Sequence, residues 1–518
     1  MKKIFLILSI LTLTVVTNSC ESDITSLNED PKHPTVVPSG LLVASAEQEL
    51  ISQLLTPNVN NNISRFFTQQ WAQTTYIDES NYDMVTRPIP RNHYNRMMAS
   101  SSATVNSPGV LSALRDAKQF LQNESLDAAK KGNNEAIIEL ISVYAWANLV
   151  DTYGDVPYFG ALKAVAGNEN NASEIPYDDA KTIYLDLVKR IDAANAMINT
   201  NQSGYTDDIF YKGNMGKWKK MANSLKFRLA VTLADVEPAL SKTYAEAAYN
   251  AGLFDSKEDN FGLAAFPSGL FANPVYQEAI QSGRNDFIPS DLLVNYMNST
   301  SDPRRDRWFI KEGRTFNSVT GQYVSGTGTY KGGVYGANNS FAGYSHMTSP
   351  KVDVNGVPEV GDDGSYMIIT ENAQGFLLDY TEISFLRAEA AARGYSVGGT
   401  AATLYAAAIT ASMKEYGISD DKITPFIAAN PYNASNWKQS IGFQAWIAMF
   451  NKGFQAWNFA RRLDYPVFVN PDDSTVDGVP VRMKYSDQEY LLNKNNVTAA
   501  AQKIGGDNVT TKVFWDVY

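Results

Sequence analysis

Apolar residues recur at three- and four-residue spacings in segment after segment of this chain, and the segments come in pairs. In residues 134–150, Ile137, Leu140, Ile141, Tyr144, Ala145 and Leu149 fall on one stripe of a helix. Residues 176–198 repeat this with Ile183, Tyr184, Leu187, Val188, Ile191 and Ala194, and Pro176 suits a first helical turn. A second pair spans 217–233 and 242–251, with Gly252 placed to cap the latter. A third runs over 375–393, stops at Gly394 and resumes over 400–416; further helices are expected at 439–450 and 454–461. These periods dictate an all-α fold.

Two of the second helices alternate small and large residues, as in Ala402, Tyr405, Ala408 and Ile409, and again in Ala180, Tyr184, Ile191 and Ala194. Small residues let paired helices approach while large ones fill the groove, which is how a tetratricopeptide helix B packs. A helical-hairpin scaffold with irregular spacing and a plain helical bundle both satisfy this pattern. Length alone would allow about two to four domains, but stacked hairpins form one continuous body.

The only cysteine is Cys20. It follows Lys2, Lys3, an apolar run from Ile4 to about Val16 and the small or polar Thr17, Asn18 and Ser19, the layout of a secretory signal. A cysteine at the cleavage point reads as a lipidation site, so residues 1–19 are expected to be a lipoprotein signal peptide and 20–38 an acylated, Pro-flanked tether. Glu21, Ser22 and Asp23 resemble the export signal of surface lipoproteins in Bacteroidetes, which implies a body outside the outer membrane. No second apolar run is long enough to span a bilayer. With that thiol acylated, neither disulfide, zinc cluster nor redox pair is available, and stability must come from packing. The net charge of −11 becomes more negative once Lys2 and Lys3 are removed, which argues against a nucleic-acid partner.

Chemistry is expected in the insertion at about 253–372, where helical periodicity is weak apart from a short segment near 291–297. Between Trp308 and Tyr344 the chain is crowded with Gly, Asn, Ser and aromatics, Tyr330 and Tyr335 among them, and Asn338 lies in the same stretch. A second cluster holds Trp71, Tyr76, Asn81, Tyr82, Arg87, His93 and Tyr94. A sugar ring offers an apolar C–H face and a rim of hydroxyls, so aromatic platforms flanked by Asn and Arg suit it. The ligand-binding set is therefore Trp71, Tyr76, Asn81, Tyr82, Arg87, Trp308, Tyr330, Tyr335 and Asn338. The alternative for each aromatic is that it packs a loop onto the helices.

No catalytic residue, cofactor or metal site is nominated. His33, His93 and His346 stand far apart, and the oxygen-rich turns at Asp353-x-Asn355-Gly356, Asp362-Asp363-Gly364 and 470–478 have donors for a structural calcium but lack the twelve-residue loop spacing.

Asn28-Glu29-Asp30-Pro31, Gln70-Trp71-Ala72-Gln73-x-x-Tyr76, Asp151-Thr152-Tyr153-Gly154-Asp155-Val156-Pro157-Tyr158, the 376–394 helix, Arg461-Arg462-Leu463-Asp464-Tyr465-Pro466 and the Phe514-Trp515-Asp516 tail resemble, in that order, the SusD/RagB family, most closely its SusD-like nutrient-binding branch. The resemblance covers nearly the whole chain after Cys20. It implies a right-handed superhelix of tetratricopeptide-like units over 39–518 with long irregular loop insertions. It also implies a surface lipoprotein that captures oligosaccharide or peptide and acts as lid on a SusC-like TonB-dependent outer-membrane transporter. Asp151 and Asp155 are expected to bond nearby backbone N–H groups, and Arg461 and Arg462 to end a helix whose dipole favours cations, with structural rather than ligand-binding roles. Competing functions are a structural or adhesive surface lipoprotein and a carboxylate-dependent glycosidase. No local motif selects a catalytic pair.

Overall fold

The predicted stripes become helices, and for those beginning at Ala128, Ala180, Met215, Tyr380 and Ala401 an oxygen-bearing side chain sets the start. The computed structural model describes residues 37–98, 109–163, 174–267, 269–313, 315–317, 322–324, 328–347 and 369–518. Cys20, His33 and the turns at Asp353 and Asp362 lie outside the described residues. The N-terminal half contains α1 (Ser39–Leu55), β1 (Trp71–Gln73), α2 (Ile89–Met98), α3 (Val110–Leu121), α4 (Ala128–Tyr153), α5 (Ala180–Met197), α6 (Met215–Thr232) and α7 (Pro238–Ala251). Then follow β2 (Phe261–Leu263), β3 (Phe287–Pro289), α8 (Asp291–Ser299), β4 (Thr315–Asn317), β5 (Gln322–Val324) and β6 (Gly375–Leu378). The C-terminal part holds α9 (Tyr380–Ala392), α10 (Ala401–Glu415), α11 (Asp420–Ala429), α12 (Trp437–Ala448), α13 (Gly453–Leu463) and α14 (Lys494–Lys503).

Asp127 caps α4 by accepting from the N–H groups of Ala129 and Lys130 at 3.0 Å each, and Asp179, Asn214 and Thr400 cap α5, α6 and α10 in the same way. Such a cap stabilises its helix by about 1 kcal/mol. Gly154, at φ +83°, ends α4, and Gly252, at φ +99°, ends α7. The helices are all-α hairpins packed in chain order: α3 on α4, α4 on α5, α5 on α6, α6 on α7. Helix α9 returns to α6 and packs against both α10 and α12, while α13 folds back on α12. One apolar core runs through the whole array, from Val43 and Leu50 of α1 to Trp515 near the C-terminus. The strands form three separate two-stranded ladders, β1–β3, β2–β6 and β4–β5.

Two local expectations are corrected. The third helical pair does not begin at residue 375: Gly375–Leu378 is a strand antiparallel to β2, and α9 starts only after Asp379, whose carboxylate accepts from the Glu382 N–H at 2.7 Å. Asp155 does cap backbone, accepting from the Ala180 N–H at 2.8 Å at the head of α5. Asp151 instead accepts from side chains, namely the Tyr184 hydroxyl, the Trp515 indole at 2.9 Å and the Asn458 amide at 3.0 Å. It is buried, and side chains of neighbouring segments supply its donors.

The arginines of the 461–466 motif are internal struts. Arg461 donates to the backbone carbonyls of Asp151 at 2.8 Å and Val481 at 2.7 Å, and its guanidinium lies 3.7 Å from the Trp457 ring centroid and 4.6 Å from that of Trp515. Burial lowers its pKa to about 10. Arg462 grips Glu389 of α9 through two nitrogens at 2.8 and 2.9 Å. The motif therefore bolts α13 to α4, α9 and the C-terminal tail.

Candidate functional site

The candidate site grows from β1. Trp71 pairs with Pro289 and Gln73 with Phe287, and the pairing extends one step to the Thr74 N–H, which donates to the Asp286 carbonyl at 3.0 Å. The chain then leaves the ladder sharply. Tyr76 sits at φ +52°, an uncommon conformation for an aromatic residue, and its side chain stands 64 % exposed. The Arg284 guanidinium lies 5.8 Å from its ring centroid and is held by Asp286 at 2.6 Å, which also accepts from Thr75. The result is an open ring flanked by a cation and a carboxylate.

A buried polar frame fixes the loop behind this ring. The Gln73 side chain accepts from the Ser80 N–H at 2.9 Å and donates to Glu79 at 2.8 Å, closing residues 73–80 into a tight turn. Arg87 pairs with Glu79 and, at 3.3 Å, with Asp78. Burial pushes the Glu79 carboxyl up, while the Gln73 bond and the Arg87 charge pull the other way. Asp83 accepts from the N–H groups of Val85 at 2.7 Å and Thr86 at 3.0 Å. The hydroxyl of Thr86 and the bonds to these amides hold its carboxyl below the usual range despite partial burial. Asp78, Glu79 and Asp83 are thus all engaged by Arg87 or nearby donors, which suits holding a loop more than acid–base work.

Two further loops dock on this turn. The Asn81 amide donates to the Gly336 carbonyl at 2.8 Å, and Asn339 donates to the carbonyls of Gln73 at 2.9 Å, Val334 at 2.9 Å and Ala337 at 2.8 Å. A Cβ on Gly332 would overlap the Ser290 carbonyl, so the 330s loop reaches β3 only because that residue is glycine. From the C-terminal side, the Thr475 N–H donates to the Asn81 carbonyl at 2.9 Å and the Val469 carbonyl accepts from Gln69 at 2.6 Å. Residues 74–87, 330–347 and 467–477 therefore build one loop face on which Tyr76, Val85, Val334, Asn338, Val467 and Val469 are exposed.

The sequence-predicted residues divide by burial. Tyr76 and Asn338 are exposed on this face, Arg87 is half-buried beside it, and Tyr330 is a half-buried ring with the Arg305 guanidinium 4.5 Å from its centroid. Tyr335 is half-buried and donates its hydroxyl to the Phe66 carbonyl at 2.6 Å. Asn81 is buried and spends its amide on backbone. Trp71, Tyr82 and Trp308 are core residues and offer no face to a ligand. Trp308 stacks on Phe450 at 4.8 Å, Trp71 packs on Phe287 at 5.3 Å, and the Tyr82 hydroxyl accepts from Gln69 at 2.9 Å. Aromatic content alone could not say which of these rings point inward.

Arg284, Asp286 and Asn339 were missed. The Gly283-Arg284-Asn285-Asp286 run is a turn signal with two charges, yet its partner Tyr76 lies far away in sequence and meets it only through the β1–β3 ladder. Among the described residues no group of three His, Cys, Asp or Glu could hold a metal ion. In the remaining oxygen-rich turn, Asn470 donates to the Val476 carbonyl at 3.1 Å, closing the loop on itself.

Comparison with known proteins follows this architecture from end to end. No curated protein matches the chain in sequence. Among solved structures, a chitin-binding protein superposes with a TM-score of 0.73 at 26% identity, covering 93% of this chain and 100% of its own. A SusD homologue from Bacteroides uniformis gives 0.71 at 24% identity, covering 92% and 99%. A chitin-binding SusD homologue from Flavobacterium johnsoniae gives 0.64 at 23%, again over 92% and 99%. The family model described as "Starch-binding associating with outer membrane" matches residues 31–486, and with most of the sequence under that match the chain belongs to the SusD-like family.

Proposed function

We propose that the protein captures an oligosaccharide at the outer membrane, without turning it over, on the loop face around Tyr76. The observation that carries this reading is an exposed aromatic ring held at positive φ by a buried polar frame and flanked by Arg284 and Asp286. The ring stacks on the C–H face of a sugar while the charged groups bond to its hydroxyls, with Asn338 on the neighbouring loop as a further donor and acceptor. Family membership and two chitin-binding neighbours support a glycan over a peptide. Chito- and malto-oligosaccharides are the first probes.

The same reading has Cys20 acylated, the body displayed on the cell surface, and the protein seated as lid on a SusC-like TonB-dependent transporter. No helix among the described residues is long and apolar enough to cross a membrane, in keeping with attachment through lipid. Radiolabelled palmitate should enter the wild-type protein and not the Cys20→Ser variant, and a large β-barrel should co-purify from solubilised outer membranes. Absence of label from the wild type, or purification of the protein alone after gentle extraction, would remove the anchor or the lid respectively while leaving glycan capture to be judged by binding.

A further inference from the structure

A cavity of about 420 Å³ lies where the ends of α1, α10 and β6 meet the α12–α13 turn, and none of the residues lining it belongs to the three loops around Tyr76. Its charged lining is Lys257, Arg307, Lys414, Lys452 and Glu415. Lys452 is committed to Asp379 and, at 3.4 Å, to Glu415, and Lys414 pairs with Asp420 at 2.9 Å. Glu415 is further occupied by Thr381 and Gln374 at 3.0 Å each. Arg307 and Lys257 have no ion pair among the described residues, although the Lys257 charge is felt by the neighbouring Glu258 carboxyl. That is notable in a chain where 55 Asp and Glu outnumber 44 Lys and Arg.

Of the neutral polar groups in the lining, Asn273 is spent on neighbouring backbone and the Gln374 amide on Glu415. Asn273 accepts from the Val275 N–H at 2.8 Å and donates to the Ala373 carbonyl at 3.0 Å. The charged donors left for an occupant are therefore the two cations, the Thr370 and Tyr416 hydroxyls add neutral ones, and Leu55, Phe376 and Phe450 supply an apolar wall. A bare inorganic ion would leave that apolar wall unused, and a neutral sugar would leave the cations unpaired. The volume lies toward the small end of ligand pockets, enough for a compact molecule but not a polymer.

We propose that this cavity is a second binding site, selective for a compact organic anion: a carboxylate on a sugar-sized body, such as a uronic acid, with the carboxylate on Arg307 and Lys257 and the ring against the apolar wall. This site goes beyond glycan capture at Tyr76 and does not depend on it. Arginine presents a planar fork that matches a carboxylate, and lysine adds a point charge from the rim. The overall negative charge of the protein opposes the approach of an anion, so selectivity rests on these two local cations.

The test is calorimetric titration of the full-length protein in detergent with glucuronate, glucose and inorganic sulfate, using wild type, Arg307→Gln, Lys257→Gln and Tyr76→Ala. Glucuronate should bind at least about tenfold more tightly than either glucose or sulfate, and Arg307→Gln should remove about tenfold of that affinity. Lys257→Gln should cost several-fold, affinity should fall as sodium chloride rises, and Tyr76→Ala should leave glucuronate binding unchanged. Lys257 is exposed and free of side-chain bonds, so its variant keeps the test valid should Arg307→Gln fail to fold. Equal binding of glucose, sulfate binding as tight as glucuronate (an adventitious ion only), full affinity in the lysine variant, or loss of glucuronate binding in Tyr76→Ala would each overturn the assignment.

Discussion

The molecule uses the same pair, an arginine against an aromatic ring, in two regions with opposite outcomes. In the helical body Arg461 is packed between Trp457 and Trp515, buried, and bonded to carbonyls of two other segments. On the loop face Arg284 lies over Tyr76 with the ring open to solvent. The first pair has no surface left to offer and can act only by holding helices together. The second has its outer face unspent. What separates scaffold from site here is not residue type but how many partners each group already has.

The largest effect should come from breaking the body where sequence composition suggested a ligand contact. Trp308→Ala opens a cavity under Phe450 and should cost about 3–5 kcal/mol, read as a lower denaturant midpoint, while the folded fraction binds oligosaccharide as before. Lost affinity at unchanged stability would return Trp308 to the site. Next, Asp151→Asn keeps the shape but loses the charge that accepts from Tyr184, Trp515 and Asn458. Destabilisation of about 1–3 kcal/mol is expected, again with no change in ligand affinity.

On the loop face the signs reverse. Tyr76→Ala should weaken oligosaccharide binding about tenfold, near 1.4 kcal/mol, and shift stability by less than about 0.5 kcal/mol. Tyr76→Gly should bind as poorly yet be more stable than Tyr76→Ala by about 1 kcal/mol, because glycine accepts the left-handed backbone without strain. Equal stability of the two would mean that the φ of +52° carries no strain.

A pH experiment sharpens the contrast further. Glu47 of α1 is buried beside Asp208, and burial first, then the Asp208 charge, raises its pKa well above 4.5. Asp208 itself is held by the Trp218 indole at 2.7 Å and by backbone N–H groups of Phe210, Tyr211 and Gly213. A carboxyl whose folded pKa is raised contributes stability that is complete below its unfolded value and is lost as pH climbs through the folded one. The Glu47 contribution to stability should therefore fall as pH rises from acid toward neutral and beyond, read as a steeper fall, or a smaller rise, in the wild type than in Glu47→Gln over that range. Ligand affinity, resting on Tyr76, should not follow it.

The fold was largely legible in the sequence because helical stripes are local. Helices α4–α6 and α10 follow directly from apolar spacing plus an Asp, Asn or Thr cap, and α7 from its spacing with Pro238 in the first turn and Gly252 at the end. Helix α2 was invisible, since Ile89–Met98 is mostly polar or charged in sequence and its His93 is buried only by tertiary contact: Gln53 bonds one ring nitrogen at 2.8 Å, and burial lowers the pKa to about 4. Strand β6 was absorbed into a helix because Phe376, Leu377 and Leu378 fit the helical stripe as well as they fit a buried strand, and only the distant β2 decides between them. The burial of the candidate site residues was hard to read for the same reason. That loops at 71–94 and 308–344 belong together could be guessed from shared composition, but Trp71 in and Tyr76 out is set by the β1–β3 register, which no local pattern encodes.

The most direct test of glycan capture is a titration of the full-length protein with chito- and malto-oligosaccharides, comparing wild type with Tyr76→Ala and chromatographing the sugar afterwards. The account predicts saturable binding by the wild type, about tenfold weaker binding by the variant, and sugar recovered intact. Undiminished affinity in Tyr76→Ala, or shortened sugar in the wild-type sample, would contradict it.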